Sequence, residues 1–137
     1  MELGRRFRAL KLWFVIRAYG VSGLQQIIRD HVAWAEQLAG RLGAVPGIEL
    51  TSPVQLGLFS FRLRPDGAGE GDALDALNAE FLDAVNADGT IYLTQTVHEG
   101  RYIIRVSIGT TATTQADIDI AFETITRLAA PYLETGE

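Results

Sequence analysis

The chain of 137 residues predicts an α+β domain, a small four-stranded antiparallel sheet with helices packed on one face, preceded by an N-terminal helix. Three observations lead there. Apolar residues recur at helical spacing through positions 24–42, 74–85 and 118–128. Short runs rich in β-branched and aromatic residues fall between these stretches as two consecutive pairs, at 48–51 with 56–63 and at 91–97 with 102–108. Glycine and proline turn signals separate the runs, so the order reads helix, helix, strand, strand, helix, strand, strand, helix.

Residues 5–19 hold good helix formers and no proline, with Phe7, Leu10, Phe14 and Arg17 three and four apart, and Gly20 stops the run. Leu12, Trp13, Phe14, Val15 and Ile16 follow one another, so no single face of this helix can hide them, and it needs neighbours on several sides. Ser22 and Gln25 have the spacing of a capping box for a second helix. That helix carries Leu24, Ile27, Ile28, His31, Val32, Ala35, Leu38 and Leu42 on one face, with Arg29, Asp30, Glu36 and Gln37 opposite, and ends near Gly43. Pro46-Gly47 turns the chain into a short strand over 48–51.

After Pro53 a strand over 56–63 alternates Leu56, Leu58 and Ser60 against Gly57, Phe59 and Phe61. Pro65-Asp66-Gly67 supplies turn chemistry within a loop. Asp72 can cap a helix bearing Leu74, Leu77, Phe81 and Val85, which Asp88-Gly89 ends. Strands at 91–97 and 102–108 form a hairpin through His98-Glu99-Gly100-Arg101. Thr114 with Asp117 opens a last helix whose face is Ile118, Ala121, Phe122, Ile125 and Leu128.

Composition narrows the classes. With 47% hydrophobic and 21% charged residues the chain is an ordinary globular domain rather than a disordered one. It has no cysteine, which excludes a disulfide framework, a thiolate metal site and a thiol nucleophile. The longest apolar run, residues 12–16, is too short to cross a bilayer, and no signal-peptide pattern opens the chain, so the expectation is a cytoplasmic protein without a membrane partner. Net charge is −5, yet five of the 12 basic residues, Arg5, Arg6, Arg8, Lys11 and Arg17, fall in the first 17 positions against Glu2 alone. The basic run is brief and its aromatic neighbours read as buried, which argues against nucleic acid.

The order of that opening, Leu3-Gly4-Arg5-Arg6-Phe7-Arg8-Ala9-Leu10-Lys11-Leu12-Trp13-Phe14-Val15-Ile16-Arg17-Ala18-Tyr19-Gly20, followed by Val21-Ser22-Gly23-Leu24 and Ile28-Arg29-Asp30-His31-Val32, closely resembles a segment of the pyridoxal-phosphate-dependent aromatic-L-amino-acid decarboxylases, of the group II decarboxylase family. The resemblance implies a lyase that releases CO2 from an aromatic L-amino acid, and a place where the large cofactor-binding domain meets the small C-terminal domain of a fold-type I enzyme. Residues 1–20 then form an interdomain segment and residues 21–137 the small domain, with the large domain absent. The partners it implies are that large domain, a second copy in a homodimer and the aromatic substrate.

Decarboxylation on pyridoxal phosphate needs a lysine for the Schiff base and a carboxylate at the pyridine nitrogen. By the resemblance that lysine sits in a His-Lys motif of the large domain. No His-Lys pair occurs here, and the one lysine, Lys11, matches the lysine of the basic-aromatic segment and reads as structural. The cofactor is therefore expected in the parent enzyme and not on this chain, for which no catalytic, cofactor-binding or metal residue is assigned and no decarboxylase activity is expected. By the same resemblance Gly4 lies at the substrate pocket, where a missing side chain leaves room for a wide ring, or else merely starts a helix. Arg5, Arg6, Arg8, Trp13 and Phe14 are candidate domain-interface residues, the arginines suited to bidentate carboxylate pairing. His31 reads as a satisfied structural histidine, His98 as a turn residue, and the aspartates 72, 75, 83, 88, 117 and 119 as helix-end and surface groups. A free-standing ligand-binding or dimerising regulatory module is the alternative, and exposure of Trp13, Phe14 and Ile16 is the feature that speaks against it.

Overall fold

A computed structural model describes residues 8–134. Helix α1 spans Arg8–Gly43, but Gly20 within it is not helical, with φ 69° and ψ 167°. Strands β1 (Ile48–Gln55) and β2 (Leu58–Leu63) follow, then helix α2 (Asp72–Asp88), strands β3 (Thr94–His98) and β4 (Arg101–Ser107), and helix α3 (Gln115–Leu133). The four strands form one antiparallel sheet in the order β1-β2-β4-β3. The expected α+β class and element order are therefore what the chain adopts.

Alternation along the central strands divides the sheet. Phe59, Phe61 and Leu63 of β2 and Ile104 and Val106 of β4 point into the core beneath the helices. Against them pack Ala35, Leu38, Ala39 and Leu42 from the rear half of α1, Phe81, Leu82 and Val85 from α2, and Ile118, Ile125 and Ala129 from α3. The Phe81 ring meets Phe61 and Tyr132 edge-on, with centroids 6.4 and 5.8 Å away.

Two asparagines on α2 tie it to the sheet. Asn78 is fully buried; its Oδ1 accepts from the Leu63 amide at 2.7 Å and its Nδ2 donates to the Leu63 carbonyl at 2.9 Å and to the Leu74 carbonyl at 2.9 Å. Asn86, two turns on, does the same for Leu93, accepting at 2.9 Å and donating at 3.1 Å. Each carboxamide thus replaces a missing strand neighbour at a strand end, where buried backbone groups would otherwise go unpaired.

Several local expectations are corrected. Ser22 and Gln25 make no capping box, because the chain re-enters the helix directly after Gly20 and Ser22 already lies inside it. The cap of α2 is Gly71, whose carbonyl accepts from the Leu74 and Asp75 amides, and Asp72 is the first helical residue rather than the cap. Strand β1 runs on through Pro53, which an edge strand with register shifts tolerates because its outer amides need no partner. Leu56 leaves the strand for the β1–β2 turn, with φ 53°. The third strand starts at Thr94, since Leu93 is held by Asn86 instead. Gly57 in the first turn is obligatory for space: a Cβ there would lie 2.3 Å from the Ile108 carbonyl oxygen. By contrast the Thr114–Asp117 box forms as expected, with the Asp117 carboxylate accepting from the Thr114 amide and hydroxyl at 2.7 and 2.8 Å.

Removing the Asn78 carboxamide strands the Leu63 amide and carbonyl in the core, so Asn78→Ala should cost about 3 kcal/mol in urea unfolding and the half-buried Asn86→Ala only about 1 kcal/mol. Equal and negligible losses would show that neither clamp supports the sheet.

Candidate functional site

The surface that stands apart is the front of α1. Along residues 12–16 the side chains of Leu12, Trp13, Phe14, Val15 and Ile16 are between 38% and 60% exposed, and Tyr19 and Val21 are exposed too. All of the α1 side chains in the buried core come from residue 35 onward, so the front arm, residues 8–19, shares none of it. Its internal contacts are local: Trp13 and Phe14 meet edge-on at 5.1 Å, and the Arg17 guanidinium lies over the Trp13 ring at 5.8 Å. Exposed aromatic and branched side chains on all sides of one helix mark a surface made to be covered. Trp13 and Phe14 are therefore side by side and free. Gly4, Arg5 and Arg6 lie outside the described residues, as does the Arg8 side chain.

The sheet face away from the helices carries the second feature. Arg62 is 1% exposed although it projects from that face. Its Nε donates to Glu49 at 2.9 Å and its Nη2 to Glu70 at 2.8 Å, and Arg64 stands 3.6 and 3.2 Å from the same two carboxylates. Burial works most strongly against the Arg62 charge, and the hydrogen bonds and negative charges of Glu70 and Glu49 together outweigh it. The hydrogen bond from Arg62 holds the Glu70 carboxyl below its ordinary range. Beside this network Ser52 and Ser60 share a 2.8 Å hydrogen bond, and Thr51 donates to Ser60 at 2.9 Å. Sequence reading passed over Arg62; the signal was an arginine at the polar phase of a strand whose other phase is Phe59, Phe61 and Leu63.

The other titratable groups serve the fold. Arg41 bridges α1 to Asp119 of α3 at 2.6 Å and lies over the Phe122 ring, and Arg127 pairs with Asp88. The Asp75 carboxylate accepts from the Tyr102 amide. His31 Nε2 donates to the Thr110 carbonyl at 3.1 Å, as a structural histidine should, and His98 is an exposed residue at the hairpin end. Among the described residues no cluster of histidine and carboxylate side chains could hold a metal ion, and no helix is long and apolar enough to cross a membrane.

Two hollows are large enough to consider. One, of about 700 Å³, lies between α2 and α3 along Ala73, Ala76, Leu77, Leu128, Pro131 and Tyr132. The other, of about 420 Å³, is on the open sheet face by Leu58, Ser60, Thr96, His98, Ile103 and Arg105. Neither is lined by a lysine, and Lys11 is an exposed amine on the projecting arm. Neither hollow therefore fits pyridoxal phosphate, which needs an amine and a carboxylate converging in one cavity.

Known proteins resemble the chain in sequence and in fold. The family model described as the pyridoxal-dependent decarboxylase conserved domain matches residues 1–64. Tyrosine decarboxylase 4 of Petroselinum crispum is 39% identical over 126 residues, covering 90% of this chain and 25% of that protein. Residues 1–64 thus match the pyridoxal-dependent decarboxylase family, and nine tenths of the chain is similar to a member of it. Among solved structures, Oryza sativa TDC with pyridoxal phosphate and tryptamine superposes with a TM-score of 0.86 at 31% identity, over 98% of this chain and 29% of that one. Rhodiola rosea 4-hydroxyphenylacetaldehyde synthase gives 0.85 at 31% identity, over 98% and 28%. The chain spans about a quarter of the length of the relatives it matches.

The charge network makes an acid prediction. Because the Glu70 carboxyl is held below its ordinary value of 4.5, its pairing with Arg62 stabilises the fold above that pH and the contribution fades as pH falls through the lowered value. Glu70→Gln should therefore lower stability at neutral pH and flatten the loss below pH 4.5, as read from thermal unfolding against pH. Because Glu70 is half exposed the difference should shrink in high salt, and parallel pH curves for the two proteins would refute the pairing.

Proposed function

We propose that this chain is the small C-terminal domain of a pyridoxal-phosphate-dependent decarboxylase acting on an aromatic L-amino acid, and that its role is architectural. It packs on the large cofactor-binding domain, helps close the mouth of the active site and supports the homodimer. One observation carries this: the arm over residues 8–19 presents Trp13 and Phe14 uncovered, more than half exposed each, where a domain built to stand alone would bury them. The length of the relatives supports it, since three quarters of each is protein that this chain does not contain.

The division of labour follows from side-chain chemistry. The cofactor, bound in the large domain, supplies the electron sink for loss of CO2. This chain contributes an apolar cover that excludes water from the domain junction, basic groups at Arg5, Arg6 and Arg8 that meet carboxylates across it, and Gly4 at the edge of the substrate pocket. By itself it lacks the amine and the paired carboxylate, and it does not decarboxylate. The partner proteins are a second copy and the large domain, and the substrate class is the aromatic amino acid; similarity both to a tyrosine decarboxylase and to an aldehyde synthase leaves the reaction outcome to residues of the large domain.

The test is a chimera in which this chain replaces the C-terminal quarter of the Petroselinum crispum enzyme, assayed for CO2 release from L-tyrosine and L-tryptophan with added cofactor. The chimera should turn over and the 137-residue chain should not; CO2 from the chain alone would overturn its architectural role. Trp13→Asp with Phe14→Asp should reduce turnover of the chimera at least tenfold by preventing the domains from closing, and full activity in that double variant would remove the docking role. Gly4→Ser should shift preference from the indole toward the phenol side chain, and an unchanged ratio would show that Gly4 only starts the helix.

A further inference from the structure

Gly20 sits inside α1 at φ 69°, ψ 167°. Leu56 and Glu99 also have positive φ, 53° and 51°, so positive φ by itself does not demand glycine in this chain. At positive φ with ψ near 180° the Cβ of an L-residue collides with its own backbone, and glycine alone resides there. The space around Gly20 gives no other reason for the glycine, because a Cβ there would meet nothing within 4 Å. Gly23, one turn on, is different: it is helical, and a Cβ would make an ordinary 3.6 Å contact with the Tyr19 Cβ.

We propose that Gly20 is the positioning residue of the docking arm, a fixed corner that aims helix 8–19 away from the line of helix 21–43 and so decides which way the apolar surface around Trp13 and Phe14 faces. That this surface meets the cofactor-binding domain rests on the function proposed above; that Gly20 sets its direction does not. The arm touches none of the buried core, so nothing else in the described chain holds it off the axis. A side chain at position 20 closes off the corner, and the cheapest alternative is ordinary helical geometry, which joins the two helices into one straight rod.

The absence of cysteine allows two nitroxide labels to be placed without other changes, at the exposed positions Lys11→Cys and Glu36→Cys, with their separation read by double electron–electron resonance. In a straight helix these positions lie about 37 Å apart, at 1.5 Å per residue. The parent chain should give a shorter mean separation, Gly20→Ala should lengthen it toward that value, and Gly23→Ala should leave it where it was. The unfolding midpoint of the body should be the same in all three. A parent chain already at the straight-helix distance, a Gly20→Ala chain with an unchanged distance, or an equal shift from Gly23→Ala would each overturn the corner. Should the arm swing in Gly20→Ala while the chimera carrying that change keeps full turnover, the corner stands and the docking role of the arm is overturned.

Discussion

The residues from Leu10 to Tyr19 carry apolar side chains on every side of one short helix, and burying them takes surfaces that the body of this domain does not offer. The body is already complete: Ala35, Leu38, Ala39 and Leu42 fill the groove between the sheet and α3, and the Phe59–Phe61–Leu63 face is fully covered. A helix of about a dozen residues is also marginal in water without tertiary contacts. The front of α1 is therefore an element that the buried core does not hold, and the rest of the chain is the platform that carries it.

The platform is made rigid by few devices. The helix layer is fixed to the sheet by Asn78 and Asn86, which stand in for strand neighbours at Leu63 and Leu93, and by Arg41 and Arg127, which pair across the helices. On the open face, Arg62 is covered by the carboxylates of Glu49 and Glu70, so the one buried charge among the described residues is compensated from the neighbouring strand β1 and a loop. These interactions leave the direction of α1 after residue 20 firm, and among the described residues its front half is attached to them only through Gly20.

Much of this was legible in the sequence because hydrophobic period is a strong signal: period two gave Phe59, Phe61 and Leu63 to the core, and helical spacing gave Leu38, Leu42, Phe81, Val85 and Ile125. The continuous run at 12–16 foretold a helix with too much apolar surface, and the arm is exposed for that reason. What escaped depended on partners far away in sequence. Asn78 looks like any polar helix residue until Leu63 is placed beside it, Arg62 until Glu49 and Glu70 close over it. Ser22 had the spacing of a cap, and lost that role because Gly20 turned the chain in a single residue with no gap for a cap to fill.

The most direct test is amide hydrogen exchange, peptide by peptide, on the chain at a dilution where it is a single copy and again on the chimera joined to a cofactor-binding domain. The account predicts that amides of residues 10–19 exchange close to the rate of an open chain in the single copy, while those of 35–42 are strongly protected, and that 10–19 become protected in the joined enzyme. Protection of 10–19 equal to that of 35–42 in the dilute single copy would contradict it, since the arm would then be complete without a partner.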